Sequence, residues 1–379
     1  MNIFSYQQVQ RLLPRGRLVY ARSDTMTDPK RKNLAETLER MLESSQSLSS
    51  ALYIPTPWAA WTWTNTALLV FKGVMDKKFP DTFSRDTISL ADGGTVSVDW
   101  PIEAENLPDD APLVIFLHTI TGSSQDTSHY TRVATQRGWR SCVFNRRGHG
   151  RMSLTTPRFN IMGDAEDTRV MVEHVTSKFP STSFLGMVGI SAGSGLLGTY
   201  LGQQEDKTPV EAACCLCPAY DLRTVWVNVK KYPSMDKFLL QSVKKRFLSH
   251  TEELLKEAFP ESFEACQNAK SIEEFMEAHY PFAGYDSLAE YLEDCNPLQK
   301  WIPRIVRPTL LVSADDDMIC TKENIKEEMV TALAGSLLIR TQRGSHIAFN
   351  EGLFGQGNYL SRISFDFLDA ARKQKSKSK

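Results

Sequence analysis

One stretch of the chain decides the fold, and it reads Gly189-Ile190-Ser191-Ala192-Gly193. The apolar run at 183–190 predicts a buried strand, and the small residues that follow predict a helix through Leu201. Two glycines at this spacing let strand and helix approach closely at a sharp turn, which lifts the Ser191 hydroxyl clear of the backbone. A phosphate-binding loop is the alternative, but no Lys follows in the pattern that such a loop requires. We therefore interpret Ser191 as a nucleophile.

A serine hydroxyl needs a general base at neutral pH, and His346 is the best candidate. Around a turn of this kind the chain order is Ser, acid, His, and the histidines after Ser191 are His250, His279 and His346. The first two fall in a helix-rich segment before the best acid candidates. His346 stands in a loop with Gly and Ser after the last predicted strand, where a base would be expected.

The acid that would orient the base comes from a cluster of three carboxylates. The predicted strand Thr309–Ala314 ends in Asp315-Asp316-Asp317, and one of the three can bond to the imidazole and stabilise its cation. Asp221, after the preceding predicted strand, is an outside candidate. The residues alone leave this choice open.

Two backbone N–H groups have to stabilise the oxyanion. One is expected from Ala192, the residue after the nucleophile. The other is expected from the loop that follows the apolar strand Leu113–Leu117 and reads His118-Thr119-Ile120-Thr121-Gly122. We predict Ile120 as this donor and Thr119 as the next choice, and we interpret the histidine as shaping the loop. This chemistry requires no metal and no cofactor.

Strands that alternate with helices predict an α/β fold with a mostly parallel, doubly wound sheet. Runs at 86–90 and 95–100 flank a Gly-Gly turn and predict a β-hairpin. Residues 223–300 are charged, aromatic and helical in pattern, which predicts a cap on the carboxyl ends of the strands. We divide the chain into a leader with a Trp-rich segment that packs on the core (1–80), two parts of the core (81–222 and 301–373), the cap (223–300) and a basic tail (374–379).

Composition places the chain among globular proteins. Of its 379 residues 41% are hydrophobic and 23% charged, and 44 Lys and Arg against 45 Asp and Glu give a formal net charge of −1. This balance excludes bulk electrostatic attraction to nucleic acid. The seven cysteines have no regular spacing and several lie in apolar runs, which indicates buried, reduced thiols in an intracellular protein.

Together these motifs resemble the α/β-hydrolase superfamily. More narrowly, the chain is similar to the α/β-hydrolase-domain group (AB hydrolase 4) that includes bacterial YheT-like and plant EMB8-like hydrolases and animal membrane-linked lipases. The resemblance spans most of the chain and rests on Tyr53-Ile54-Pro55-Thr56-Pro57-Trp58, Leu117-His118-Thr119-Ile120-Thr121-Gly122, Phe144-Asn145-Arg146-Arg147-Gly148-His149-Gly150, Val188-Gly189-Ile190-Ser191-Ala192-Gly193, Pro218-Ala219-Tyr220-Asp221-Leu222, Ala314-Asp315-Asp316-Asp317 and Gly344-Ser345-His346-Ile347.

The resemblance also implies which carboxylate is the acid. The family often has Asp-Asp-Pro where this chain has Asp316-Asp317-Met318, which implies a triad of Ser191, Asp317 and His346 with Asp316 as the alternative acid. The family usually has His-Gly where this chain has His118-Thr119, and threonine lacks the backbone freedom of glycine.

The function implied is hydrolysis of carboxylic esters, with lipid or medium-chain acyl esters as substrates and an acyl-enzyme as intermediate. One alternative is an acyltransferase with the same nucleophile, although the His-x-x-x-x-Asp motif often linked to that activity is absent, since Glu351 stands five residues after His346. A second is a non-catalytic hydrolase-fold binding protein, against which the intact triad argues. The predicted partner is a small-molecule ester or lipid, with no nucleic acid and with peripheral membrane contact as an open possibility.

The N-terminal segments bear on localisation. Residues 1–23 carry four arginines and no acid, a pattern of mitochondrial targeting or of an amphipathic helix. Residues 44–71 carry no charge and are rich in Trp, so they suit a protein-packed, an interfacial or a spanning segment. Pro55, Pro57 and Asn65 disfavour a span. We expect Trp58, Trp61 and Trp63 to pack beside an acyl groove, in a soluble or peripherally membrane-associated protein.

Overall fold

A computed structural model describes residues 16–59, 61–78, 81–249, 251–296 and 300–377. The strands of its main sheet are Arg17–Tyr20 (β1), Phe83–Ser89 (β2), Thr95–Pro101 (β3), Leu113–Leu117 (β4), Arg140–Asn145 (β5), Leu185–Ile190 (β6), Ala212–Leu216 (β7), Thr309–Ala314 (β8) and Ser336–Thr341 (β9). The strand order is β1-β9-β8-β7-β6-β4-β5-β3-β2. The six central strands, in the order β9, β8, β7, β6, β4 and β5, are parallel to their neighbours. At one edge β1 pairs antiparallel with β9, and at the other β3 pairs antiparallel with β5 and with β2. The predicted α/β fold is confirmed.

Helices enclose this sheet and extend from its carboxyl edge. They are Pro29–Ser44 (α1), Gln46–Ser50 (α2), Thr62–Lys78 (α3), Ser124–Gln136 (α4), Ala165–Lys178 (α5), Ala192–Gln204 (α6), Leu222–Val229 (α7), Pro233–Phe247 (α8), Glu252–Ala258 (α9), Pro260–Asn268 (α10), Ile272–Ala278 (α11), Leu288–Asp294 (α12), Glu327–Thr331 (α13) and Tyr359–Lys377 (α14). Short two-residue strands, Asn350–Glu351 (β10) and Gly357–Asn358 (β11), pair after β9.

Three hydrophobic cores hold these layers together. One packs α1, α4 and α14 on one face of the sheet, and a second packs α5 and α6 on the other. Strands β4, β6, β7 and β8 are therefore buried on both faces, which explains their continuous apolar runs. The third core joins α7 to α12 into a helical body over the sheet. This body coincides with the predicted cap, whose limits as a domain stay a prediction.

The topology gathers the predicted site residues at one edge. Because the carboxyl ends of parallel strands meet at the same edge of a sheet, the loops after β4, β6, β8 and β9 come together there. These loops carry Ile120, Ser191, Asp317 and His346.

The N-terminal part contributes structure that the sequence patterns did not predict. Strand β1 pairs with β9, with Arg17 opposite Arg340, and α1 packs on α14. Most of the predicted targeting segment, residues 1–15, lies outside the described residues.

Helix α3 contacts the core through polar side chains. Asn65 is buried, donates to the Gly344 carbonyl over 3.2 Å and accepts from the Asn350 amide over 2.5 Å. The Thr66 hydroxyl lies 2.6 Å from the Ser345 hydroxyl. The inward face of α3 therefore satisfies polar groups of the loop after β9.

The expectation that the tryptophans pack beside an acyl groove is wrong. Trp58, Trp61 and Trp63 are 53%, 68% and 58% exposed. On α3 the inward positions are held by Asn65, Thr66 and Leu68, which leaves Trp63 on the exposed side, while Trp58 and Trp61 precede this helix. Within the described residues, no helix is both long enough and apolar enough to cross a membrane.

Candidate active site

Ser191 stands at a tight turn between β6 and α6. Its backbone has φ 54° and ψ −117°, a conformation that costs free energy for any residue with a Cβ. A Cβ on Gly189 would lie 2.3 Å from the Gly193 carbonyl oxygen, and one on Gly193 would lie 2.3 Å from the Leu117 carbonyl oxygen. Both positions therefore require glycine, and the close approach that they allow sets Ser191 beside the end of β4.

The structure brings the three predicted triad side chains into one hydrogen-bonded chain. The Ser191 hydroxyl lies 2.8 Å from Nε2 of His346, and Nδ1 of the same ring lies 2.8 Å from Oδ2 of Asp317. A carboxylate can only accept, so Nδ1 carries the proton and Nε2 is left to accept from the serine. Asp317 is 3% exposed and His346 9% exposed, which keeps the chain out of bulk water.

The second oxygen of the Asp317 carboxylate is also bonded. Its Oδ1 accepts from the backbone N–H groups of Ile319 over 2.7 Å and of Cys320 over 2.8 Å. Such bonds fix the orientation of the carboxylate. Asp317 can therefore hold the imidazole ring in one tautomer.

The other acid candidates have different partners. Asp316 accepts from the Thr62 hydroxyl and from the Ser345 N–H, each over 2.8 Å, and burial raises its pKa. Asp315 pairs with Arg340 over 2.5 Å. Asp221 caps α7, where its side chain accepts from two backbone N–H groups of the first turn.

Of the other histidines after the nucleophile, the one that the structure describes does not join the site. His279 is fully buried in the cap, where its ring packs against Phe275 and Tyr291, and burial lowers its pKa to about 4. His250 lies outside the described residues.

The predicted oxyanion donors lie at the two neighbouring strand ends. Ala192 is the first residue of α6, so its N–H has no acceptor inside the helix. In the part of the chain that the structure describes, the N–H of Ile120 donates no backbone hydrogen bond either. Both side chains belong to the third hydrophobic core. Two N–H groups without a backbone acceptor, on loops that meet at the same sheet edge as the serine, are consistent with the predicted oxyanion hole.

A metal would have to displace existing bonds. Among the described residues, ligand atoms of Cys217, Asp317 and His346 lie within 4.8 Å of one another. Burial raises the pKa of the Cys217 thiol well above its usual range, which opposes the thiolate that a metal needs. Asp317 and His346 already bond to each other, so their arrangement favours acid–base chemistry.

A cavity of about 1100 Å³ opens beside this site. Its wall includes Thr119, Thr121 and Ile347, which are sequence neighbours of the oxyanion donor and of His346. Leu69 and Phe238 line it from α3 and from the cap. This volume is at the upper end of pockets that take small organic molecules.

Sequence reasoning missed several residues at the site. The loop after β4 is contacted by Arg146, His149 and Arg246. The loop after β8 is contacted by Thr62 through Asp316, and the loop after β9 by Asn65 through Gly344. The signal for Arg146 and His149 is the run at 144–150, which carries two arginines and a histidine between glycines directly after a predicted strand. The signal for α3 was polar residues at helical spacing within the Trp-rich segment.

A serine, histidine and aspartate joined in this way at the carboxyl edge of such a sheet define an α/β hydrolase. Residues 109–351 match a family model described as "Hydrolase_4: Serine aminopeptidase, S33". The chain belongs to this family of α/β hydrolases, and the predicted resemblance is confirmed.

Individual relatives agree with this assignment. Phospholipase ABHD3 of Homo sapiens is 26% identical over 347 residues, which cover 88% of this chain and 83% of the relative. Monoacylglycerol lipase of Saccharomyces cerevisiae is 26% identical over 273 residues, which cover 68% and 59%. The solved structure of the Pyrococcus furiosus esterase Pf2001 superposes with a TM-score of 0.50 at 16% identity, covering 77% of this chain and 92% of that one. This structural likeness shows the fold alone.

Proposed function

We propose that this protein is a serine hydrolase that cleaves carboxylic esters of lipids or medium-chain acids through an acyl-enzyme. The observation that carries the proposal is the chain of two 2.8 Å contacts from Ser191 through His346 to Asp317. A serine bonded to a base that is itself oriented by a carboxylate is the arrangement of an activated nucleophile.

The proposed reaction uses the triad and the two predicted oxyanion donors in sequence. Ser191 Oγ bonds to the ester carbonyl carbon while its proton moves to Nε2 of His346. The carbonyl electron pair moves to oxygen, where the N–H groups of Ile120 and Ala192 stabilise the charge. His346 then returns the proton to the leaving alcohol, which leaves an acyl group on Ser191. Water activated by His346 releases the acid and restores the serine.

The cavity and the relatives support a lipid-like substrate. The cavity extends from the loop after β4, which we term the oxyanion loop (residues 118–122), to Phe71 and Met75 of α3 and to Phe238 of the cap. An acyl chain would meet these apolar side chains in a lining that is otherwise partly polar. Two relatives carry the names phospholipase and monoacylglycerol lipase. We therefore place the substrate among acylglycerols, phospholipids and similar esters.

A peripheral contact with a lipid surface completes the proposal. Exposed apolar side chains form what we term the tryptophan face, and they are Trp58, Trp61, Trp63, Val70, Phe71, Val74, Leu353 and Phe354. The Trp58 indole donates to the Leu353 carbonyl over 2.7 Å, which joins the two segments of the face. Tryptophan-rich apolar surfaces suit the interface of a bilayer. An intracellular location is supported by the seven cysteines, which are unpaired and buried.

Ester hydrolysis by purified protein tests the proposal. We expect wild-type protein to release p-nitrophenol from esters of acids between two and sixteen carbons long, in a profile that identifies the preferred chain. Ser191→Ala should lower turnover at least about a thousandfold without lowering the melting temperature, because it removes one oxygen and opens no core cavity. A Ser191→Ala protein that keeps wild-type turnover would refute covalent catalysis.

A further inference from the structure

The carbonyl of Thr119, in the loop after β4, accepts from two donors and contacts a third nitrogen. It accepts from Nη2 of Arg146 over 2.7 Å and from the Gly122 N–H over 3.2 Å, and Nδ1 of His118 lies 2.8 Å away. The carbonyl of residue 119 and the N–H of Ile120 belong to one trans peptide plane and point in opposite directions. Anchoring the carbonyl therefore fixes the direction of the Ile120 N–H.

The next two carbonyls of the loop are bound in the same way. Nε2 of His149 lies 3.1 Å from the Ile120 carbonyl oxygen, and Nη2 of Arg146 lies 3.4 Å from it. Nη2 of Arg246 donates to the Thr121 carbonyl over 2.8 Å. The carbonyls of three successive residues, Thr119, Ile120 and Thr121, thus contact ring or guanidinium nitrogens.

Arg146 makes these bonds at a cost in free energy. It is 5% exposed, and none of the described carboxylates lies within ion-pair distance of it. Nη1 of Arg146 donates to the Met162 carbonyl over 3.4 Å, whereas Nε has no hydrogen-bond partner among the described residues. Burial together with the nearby Arg246 cation lowers the pKa of the guanidinium. Burying a cation without a counter-charge costs free energy of folding, which suggests that Arg146 serves the loop that it contacts.

We propose that Arg146 and Arg246 are positioning residues of the oxyanion hole, an inference that rests on the proposed function. Arg146 reaches the loop from the turn after β5, and Arg246 reaches it from α8 of the cap. Together they keep the Ile120 N–H turned toward Ser191 and add positive charge behind the place where the oxyanion forms. Since Arg246 belongs to the cap, the oxyanion hole is fully ordered only when the cap is docked on the core.

Steady-state kinetics and a transition-state analogue test this role. Ser191 Oγ adds to the carbonyl carbon of a trifluoromethyl ketone, and its proton moves to His346. The ketone oxygen becomes an anion in the oxyanion hole. In Arg146→Met we expect kcat to fall about 100-fold or more with KM changed less than about threefold, and affinity for the ketone to fall by a similar factor. In Arg246→Met we expect a fall of about tenfold in both quantities, with Arg246→Lys intermediate.

Lys237→Met is the matched control, because Lys237 is an exposed cation of α8 and is not among the residues that line the cavity. It should keep wild-type kcat and ketone affinity. If Arg146→Met does not fold, the Arg246→Met and Arg246→Lys proteins still test the proposal, because Arg246 is only half-buried. Wild-type turnover that depends on Ser191 establishes the proposed function separately. With that turnover present, unchanged kcat and ketone affinity in the arginine variants, or a loss confined to KM, would overturn the positioning role.

Discussion

At the scale of single residues, two adjacent carboxylates have unlike tasks. Asp317 bonds to His346, whereas Asp316 bonds to Thr62 of α3 and to the N–H of Ser345. Successive side chains after a strand point in different directions, so one acid faces the base and its neighbour faces the N-terminal helix. The sequence shows three equivalent aspartates, and only the fold separates them.

This separation predicts unequal effects of two isosteric substitutions. Asp317→Asn should lower kcat about a thousandfold or more, because an amide cannot hold His346 in the tautomer that accepts from Ser191. Asp316→Asn should lower kcat less than about tenfold, since the amide oxygen still accepts from the Ser345 N–H and the amide NH2 can donate to the Thr62 hydroxyl, which accepts as well as donates. Ester hydrolysis assays of both proteins measure the difference. A larger loss in Asp316→Asn would transfer the role of the acid to that residue.

At the scale of elements, a carboxylate on β2 ties the hairpin to α5. Asp86 accepts from His174 over 2.9 Å, from Lys178 over 2.6 Å and from the Trp100 indole over 2.8 Å. Burial alone would raise the pKa of Asp86, but these bonds outweigh it and lower the pKa to about 2. The carboxylate of Asp86, which is charged at neutral pH, therefore stabilises the packing of the edge hairpin on α5.

This contact predicts a stability that depends on pH. The pKa of Asp86 is lower in the folded state than in the unfolded state, where it is about 4, so its contribution is present above pH 4 and is lost as pH falls toward 2. Asp86→Asn should lower the free energy of unfolding by about 1–2 kcal/mol at pH 7. In urea titrations the difference from wild type should shrink below pH 4. A difference that stays constant from pH 7 to pH 3 would contradict this assignment.

The sequence predicts elements well where one pattern dominates. Strands such as β4 and β8 are continuous apolar runs, and the turn at Ser191 is set by two glycines, so these parts of the fold and site were predictable. The orientation of α3 was not, because the partners of Asn65 and Thr66 come from a loop about 280 residues later in the chain. Arg146 was likewise missed, since its partners are backbone carbonyls that carry no sequence signal.

At the scale of the whole molecule, the tryptophan face and the site are connected through α3. Phe71 belongs to that face and also lines the cavity, while the opposite side of the helix bonds to the loop that carries His346. A lipid leaving a bilayer at this face would enter the cavity directly. Docking and chemistry would then take place on two sides of one helix.

Vesicle binding tests the contact with lipid. We expect wild-type protein to sediment with phosphatidylcholine and phosphatidylserine vesicles and to be released by alkaline carbonate. The triple substitution Trp61→Ser, Trp63→Ser and Phe71→Ser should weaken binding at least about tenfold, because it removes three large apolar side chains. Val227→Ser, at a cap residue that is 53% exposed, is the control and should bind as wild type does. Equal binding by all three proteins would contradict a docking role for the face.

The central claim is that Ser191 is the nucleophile, and covalent labelling tests it most directly. Protein treated with a fluorophosphonate should gain one adduct, and peptide mass spectrometry should place it on Ser191. Ser191→Ala should gain none, whereas Ser153→Ala, which removes another hydroxyl of the neighbouring cavity, should label at the wild-type rate. An adduct on any other residue, or undiminished labelling of Ser191→Ala, would contradict the account.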